Sequence, residues 1–260
     1  MVDEAVPVDP RLGQPGHVRA PVEHYKRLYI KELPPVEALR AVRNFTGASF
    51  TSIVSRSLYK RAPVASDTAK SIVQLSRVSK ICIFNYDDII QNIFREHGRN
   101  FKTVTAGSSF SFLDEECLIF HPHGFLPQAP NEAQASSDIV LSEDDYHKLY
   151  ASPYTWANII QINLLMNYSV LFVGFSLTDP NTRRLLDIVR ATGSDHRQFA
   201  ILLDPTLEIK KREAHSWFPS NHAALAVAES SLQSRGVYPI WIDSHDGISK
   251  VLNKVAGLEG

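Results

Sequence analysis

Cysteine is scarce in this sequence: 260 residues contain two, Cys82 and Cys117. No Cys-x-x-Cys pair exists, which excludes a thiolate zinc ribbon, and two thiols do not make a disulfide framework. Each lies in an apolar stretch that reads as a strand, the setting of a buried free thiol in a reducing compartment. Charge of one sign is lacking too. Lys and Arg number 27 against 28 Asp and Glu, with no long run of either, so nothing points to nucleic acid or an anionic membrane as partner. No apolar stretch approaches the ~18 residues of a membrane-spanning helix. The first residues lack the continuous apolar segment of a signal peptide. Internal repeats and low-complexity tracts are absent as well. These absences leave a soluble cytoplasmic protein, and a hydrophobic fraction of 44% is enough to bury a real core.

Residues 1–22 carry Pro7, Pro10, Pro15 and Pro21 and read as an extended or disordered leader. Residues 23–79 read as helical pieces, among them PPVEALRAV and SFTSIVSRSLY, the second with Phe50, Ile53, Val54 and Leu58 on one face. SDTAKSIVQLSRV fits a further helix capped by Ser66. From residue 80 the character changes. KICIF, FKTVT, CLIFH, VLFVG, QFAILLD and VYPIWID read as strands, interleaved with helices such as SEDDYHKLY, YTWANIIQINLLMN and NTRRLLDIVRATG. Alternation of this kind predicts an α/β fold with a mostly parallel sheet covered by helices.

Parallel α/β sheets place ligand groups at the carboxyl ends of their strands. Three such ends are unusual: Asn85-Tyr86-Asp87-Asp88, His121-Pro122-His123-Gly124, and Gly174-Phe175-Ser176 with Asp179 a few residues on. Singly, each has a structural explanation. Asn85 or Asp87 serves as a helix cap, Gly174 relieves crowding at a strand end, and His121 and His123 are core histidines with satisfied nitrogens. A His-x-His pair alone offers too few ligands for a metal site.

Together, the string from Ile83 to Asp88, then His-Pro-His-Gly, IVLSEDDYHKLY and VLFVGFSLTDPN resemble the sirtuin-like domain of bacterial antiphage-defence NAD+ hydrolases. The resemblance covers residues 45–256 and implies a Rossmann-like domain over 80–260, with a helical insertion at about 125–169 and residues 23–79 as part of a helical small subdomain. It implies NAD as substrate. Asn85 would hold the ribose and the attacking water, and His123, directly before Gly124, would be the general base. Asp87, beside Tyr86, would bind the nicotinamide carboxamide. Gly174, Phe175 and Ser176, with Asp179 beyond them, would form the adenosine side. It further implies a homo-oligomer, or gating by a fused or separate sensor protein.

Two departures from the family pattern matter. The zinc-binding cysteines of deacylating sirtuins are absent, so no zinc is expected, and NAD hydrolysis is favoured over protein deacylation. The Gly-Ala-Gly-x-Ser phosphate loop that opens the family's domain is also missing before residue 80. The nearest string, Thr46-Gly47-Ala48-Ser49, lacks the second glycine and follows no apolar strand. The expectation is a chain without its first βα unit: a truncated sequence, a degenerate relative, or a chain completed by a partner. Two functions follow, an NAD+ hydrolase or an impaired module that binds NAD, ADP-ribose or protein.

Overall fold

The computed structural model describes residues 32–108, 117–128, 139–207 and 220–257; the expected leader over 1–22 lies outside them. The chain divides into two compact units. The first comprises the residues up to Val64 with Lys80–Pro153, and the second Ala65–Ser79 with Tyr154 onward.

In the first unit, α1 (Pro35–Thr46) begins with a proline at its first position, where the missing N–H goes unneeded. It stops at Gly47, whose φ of 54° a side chain would resist. A short 3-10 turn (Gly47–Ser49) leads into α2 (Phe50–Leu58). There Phe50, Ile53 and Val54 recur at helical spacing and are buried with Val42, Leu126 and Ile139. Strands β1 (Lys80–Cys82), β2 (Phe101–Val104) and β3 (Cys117–Phe120) form a parallel sheet in the order β1-β3-β2. The central strand β3 is an unbroken apolar run, and all four of its residues are buried, as expected of a strand covered on both faces. The helix α4 (Ile89–Glu96) follows β1 and buries Ile93 and Phe94.

Helix α5 (Glu143–Ala151) closes the first unit. The Asp145 carboxylate accepts hydrogen bonds from the Ser142 N–H at 2.9 Å, the Ser142 hydroxyl at 2.7 Å and the Leu141 N–H at 3.1 Å, and pairs with Arg43 of α1. Burial opposes its charge, but these donors win and hold the carboxyl below its ordinary range.

In the second unit, strands β4 (Leu171–Phe172), β5 (Gln198–Leu203) and β6 (Val237–Ile242) form another parallel sheet, in sequence order. Side chains alternate across it. Ala200 and Val237 pack with Leu165 of α6 (Trp156–Asn167) and with Leu185, Leu186 and Val189 of α7 (Pro180–Ala191). Ile201 and Ile242 pack with Ile248 and Leu252 of α9 (Gly247–Ala256) and with Leu75, which follows α3 (Asp67–Gln74). Helix α8 (Ser220–Gln233) precedes β6. The Ser66 cap read from sequence forms as expected, accepting the Ala69 N–H at 3.2 Å, and Asp179 caps α7 by accepting the Thr182 N–H at 2.7 Å.

The architecture is therefore Rossmann-like α/β, with its parallel strands in two three-stranded ladders, one in each unit. Among the described residues, no helix is long and apolar enough to cross a membrane.

Candidate functional site

Strands β1 and β3 are hydrogen-bonded neighbours, with Cys82 opposite Phe120 as the last paired residues. The Ile83 N–H extends the ladder by one bond, at 2.8 Å, to the Phe120 carbonyl. Asn85 and His123 each lie three residues beyond that last pair, in the turns that leave neighbouring parallel strands. The ring of Phe84, next to Asn85, meets the His123 ring edge-on at 4.9 Å. Tyr146 of α5 contacts the same imidazole at 5.8 Å. These contacts leave His123 half-buried, while Asn85 is exposed.

The turn after β1 is held from several sides. The Leu126 N–H donates to the Tyr86 carbonyl at 2.7 Å, and the Tyr86 hydroxyl donates to the Val140 carbonyl at 2.6 Å. Asp88 is buried, with one carboxylate oxygen 3.2 Å from the Tyr59 hydroxyl and the other accepting the Gln128 N–H at 3.1 Å. Burial pushes the Tyr59 and Tyr86 phenols up, so both remain neutral donors. Asp87 accepts the Ile89 N–H at 3.2 Å, the capping contact weighed from sequence. Its carboxyl is raised above the ordinary range, mainly by burial. Gly124 is buried at a φ of 100°, a conformation that favours glycine, and its N–H closes a tight turn onto the His121 carbonyl at 3.1 Å.

Gly174, Phe175, Ser176 and Asp179 belong to the second unit, where they leave β4 and enter α7. Gly174 is exposed at a φ of 65°, and a side-chain carbon built there would meet no atom within 4 Å. Leu177 adopts a left-handed φ of 55° although it is buried, a strained state for a bulky residue. Its carbonyl accepts the Arg183 Nε–H at 2.9 Å. This turn lines a cavity of about 610 Å³ that also takes in Arg183, Trp241 and His245. The volume suits a nucleotide-sized ligand. Among the described residues lining it, none carries a carboxylate.

Sequence reasoning missed Arg183, Trp241 and His245, which carry no motif and meet at the cavity only through the fold. Among the described residues, no group of three or more His, Cys, Asp or Glu is placed to hold a metal ion. Thr46–Ser49, weighed as a phosphate-loop remnant, joins two helices, with no strand leading into it.

Comparison with known proteins gives the same direction. The family described as SIR2-like domain matches residues 80–225. The chain is 26% identical over 124 residues to Defense-associated sirtuin 2 of Bacillus subtilis, covering 47% of this chain and 12% of that protein. It is 21% identical over 179 residues to the NAD(+) hydrolase ThsA of Cytobacillus dafuensis, and 25% identical over 176 residues to that of Bacillus cereus. Each of these two alignments covers 66% of this chain and 35% of the relative, so the chain spans about a third or less of the length of these proteins.

Proposed function

Because the chain belongs to the SIR2-like domain family, we propose that it hydrolyses the bond between nicotinamide and ribose in NAD+, releasing nicotinamide and ADP-ribose. The observation that carries this reading is the delivery of Asn85 and His123 from the ends of paired parallel strands. The name NAD(+) hydrolase ThsA supports the activity, and the name Defense-associated sirtuin 2 supports a role in defence.

In the proposed reaction the glycosidic bond breaks, and its electron pair leaves with nicotinamide, which becomes neutral. Water adds to the ribose carbon, and its proton passes to His123 as general base. An imidazole suits that task because its ordinary pKa lies near neutral. Asn85 would orient the ribose and the water. Asp87, with Tyr86 beside it, would bind the carboxamide, its carboxylate accepting from the carboxamide N–H. Gly174, Phe175 and Ser176 would take the adenosine half. At Gly174 the open space lets a ligand approach the backbone.

The second reading, a module that binds NAD or ADP-ribose without turnover, is favoured by the placement of Thr46–Ser49 between helices. Incubating the full chain with NAD+ and following nicotinamide decides between them. Release that disappears in Asn85→Ala and in His123→Ala supports hydrolysis. Release that survives the double substitution rejects the mechanism. Binding without release supports the module.

A further inference from the structure

His121, next to Pro122 and two residues before His123, is 1% exposed and packs against the Phe125 ring at 4.5 Å. It follows β3 directly, and its own N–H donates to the Val104 carbonyl at 3.0 Å. Both ring nitrogens are engaged. Nδ1 lies 3.1 Å from the main-chain carbonyl oxygen of Asn85, and Nε2 lies 2.7 Å from the side-chain amide nitrogen of Gln91 in α4.

These partners determine where the ring proton sits. The Gln91 amide nitrogen only donates, so His121 Nε2 must accept and the proton must be on Nδ1, where it donates to the Asn85 carbonyl. Reversing the amide would place the proton on Nε2. Two acceptors, Nδ1 and the Asn85 carbonyl, would then face each other at 3.1 Å. A doubly protonated ring is opposed by burial, which lowers its pKa to about 4. The amide nitrogen also lies 3.4 Å from the Thr103 hydroxyl of β2. Gln91 Oε1 is buried without a hydrogen bond among the described residues.

Among the described residues Asn85 makes no side-chain hydrogen bond, and it is exposed, so its aim depends on its backbone. We propose that His121 is a positioning residue whose ring, held at Nε2 by Gln91, clamps the Asn85 carbonyl through Nδ1–H and so aims the Asn85 side chain. The proposal rests on the reading of Asn85 as the group that orients ribose and water. It extends the working apparatus to a residue of α4 that touches no ligand.

The test uses the full chain and three variants. In His121→Asn the amide nitrogen takes the place of Nδ1 and keeps the donor. His121→Leu removes it. Gln91→Met removes the hydrogen bond that holds the ring at Nε2 and leaves the donor at Nδ1. Histidine 15N NMR of the unsubstituted chain should show His121 protonated at Nδ1, and protonation at Nε2 overturns the proposal. In nicotinamide-release kinetics His121→Leu and Gln91→Met should lower kcat by roughly 10- to 100-fold at little-changed KM, with His121→Asn close to the parent. Unchanged kcat in folded Gln91→Met overturns it, as does an equal loss in all three. If the parent chain releases no nicotinamide, the hydrolase reading fails and the clamp is read from the Asn85 carbonyl 13C shift. That shift should move in His121→Leu and Gln91→Met and stay in place in His121→Asn; no movement in either of the first two overturns the clamp.

Discussion

The turn after β1 and the turn after β4 are both strand-to-helix junctions at the carboxyl end of a parallel sheet, yet they are built differently. Asn85–Asp88 is tied down by residues distant in sequence: His121, Leu126, Gln128 and Tyr59. Gly174–Asp179 is anchored in the core by Leu177 and Phe175, and its hydroxyl and carbonyl contacts are short-range. Ser176 and Thr178 share a hydroxyl contact at 2.7 Å, and Arg183 reaches back to the Leu177 carbonyl. Its shape depends on backbone conformation at Gly174 and Leu177. The contrast fits the work proposed for each. Bond cleavage requires reacting groups placed within fractions of an ångström, whereas adenosine binding needs an open surface and tolerates adjustment.

The largest effect should come from the first turn. Replacing Asn85 and His123 together with alanine is expected to lower nicotinamide release by about 100-fold or more, as loss of a general base commonly does. Melting temperature should change little, because Asn85 is exposed and His123 half-buried. A large fall in melting temperature would mean that these residues serve the fold.

Next in size is a pH effect carried by His121. Its ordinary pKa of 6.5 applies to the unfolded chain, and burial lowers the folded value to about 4. The unfolded chain therefore takes up the proton first as pH falls. The stabilisation is complete above pH 6.5, is lost progressively toward pH 4 and is flat below that. The difference amounts to roughly 3 kcal/mol. Urea denaturation at intervals across that range should show it in the parent chain, and a parallel profile in His121→Asn would contradict the assignment.

The second turn should respond more weakly. Gly174→Ala forces a side chain into a left-handed φ and should destabilise by about 1 kcal/mol, with no clash to add to it. Nicotinamide-release kinetics should then show a raised KM at similar kcat; a fall in kcat alone would break the division of labour. Smaller or similar in size, Asp179→Ala removes the cap of α7 and should lower stability by about 1 kcal/mol in denaturant titration.

What was legible in the sequence was mostly local. Apolar runs marked β3 and β5, helical spacing marked α2 and α7, and side-chain chemistry identified Ser66 as a cap. Asn85, His123 and Gly174 could be placed at strand ends because parallel alternation determines which end each strand presents. The reading of His121 as a core histidine with satisfied nitrogens also holds. Its partners were not readable, because Gln91 lies 30 residues away and Asn85 36. Leu177 was equally hidden, since nothing in Phe-Ser-Leu-Thr announces a left-handed leucine.

Asn85–Asp88 with Gly124 is the proposed surface for nicotinamide, and Gly174–Leu177 the proposed surface for adenosine. Backbone amide NMR with nicotinamide and with AMP, added separately to the full chain, tests that assignment most directly. Nicotinamide should shift the amides of Asn85–Asp88 and Gly124, while AMP should shift those of Gly174–Leu177. Both fragments moving the same turn, or each moving the other's, would contradict it.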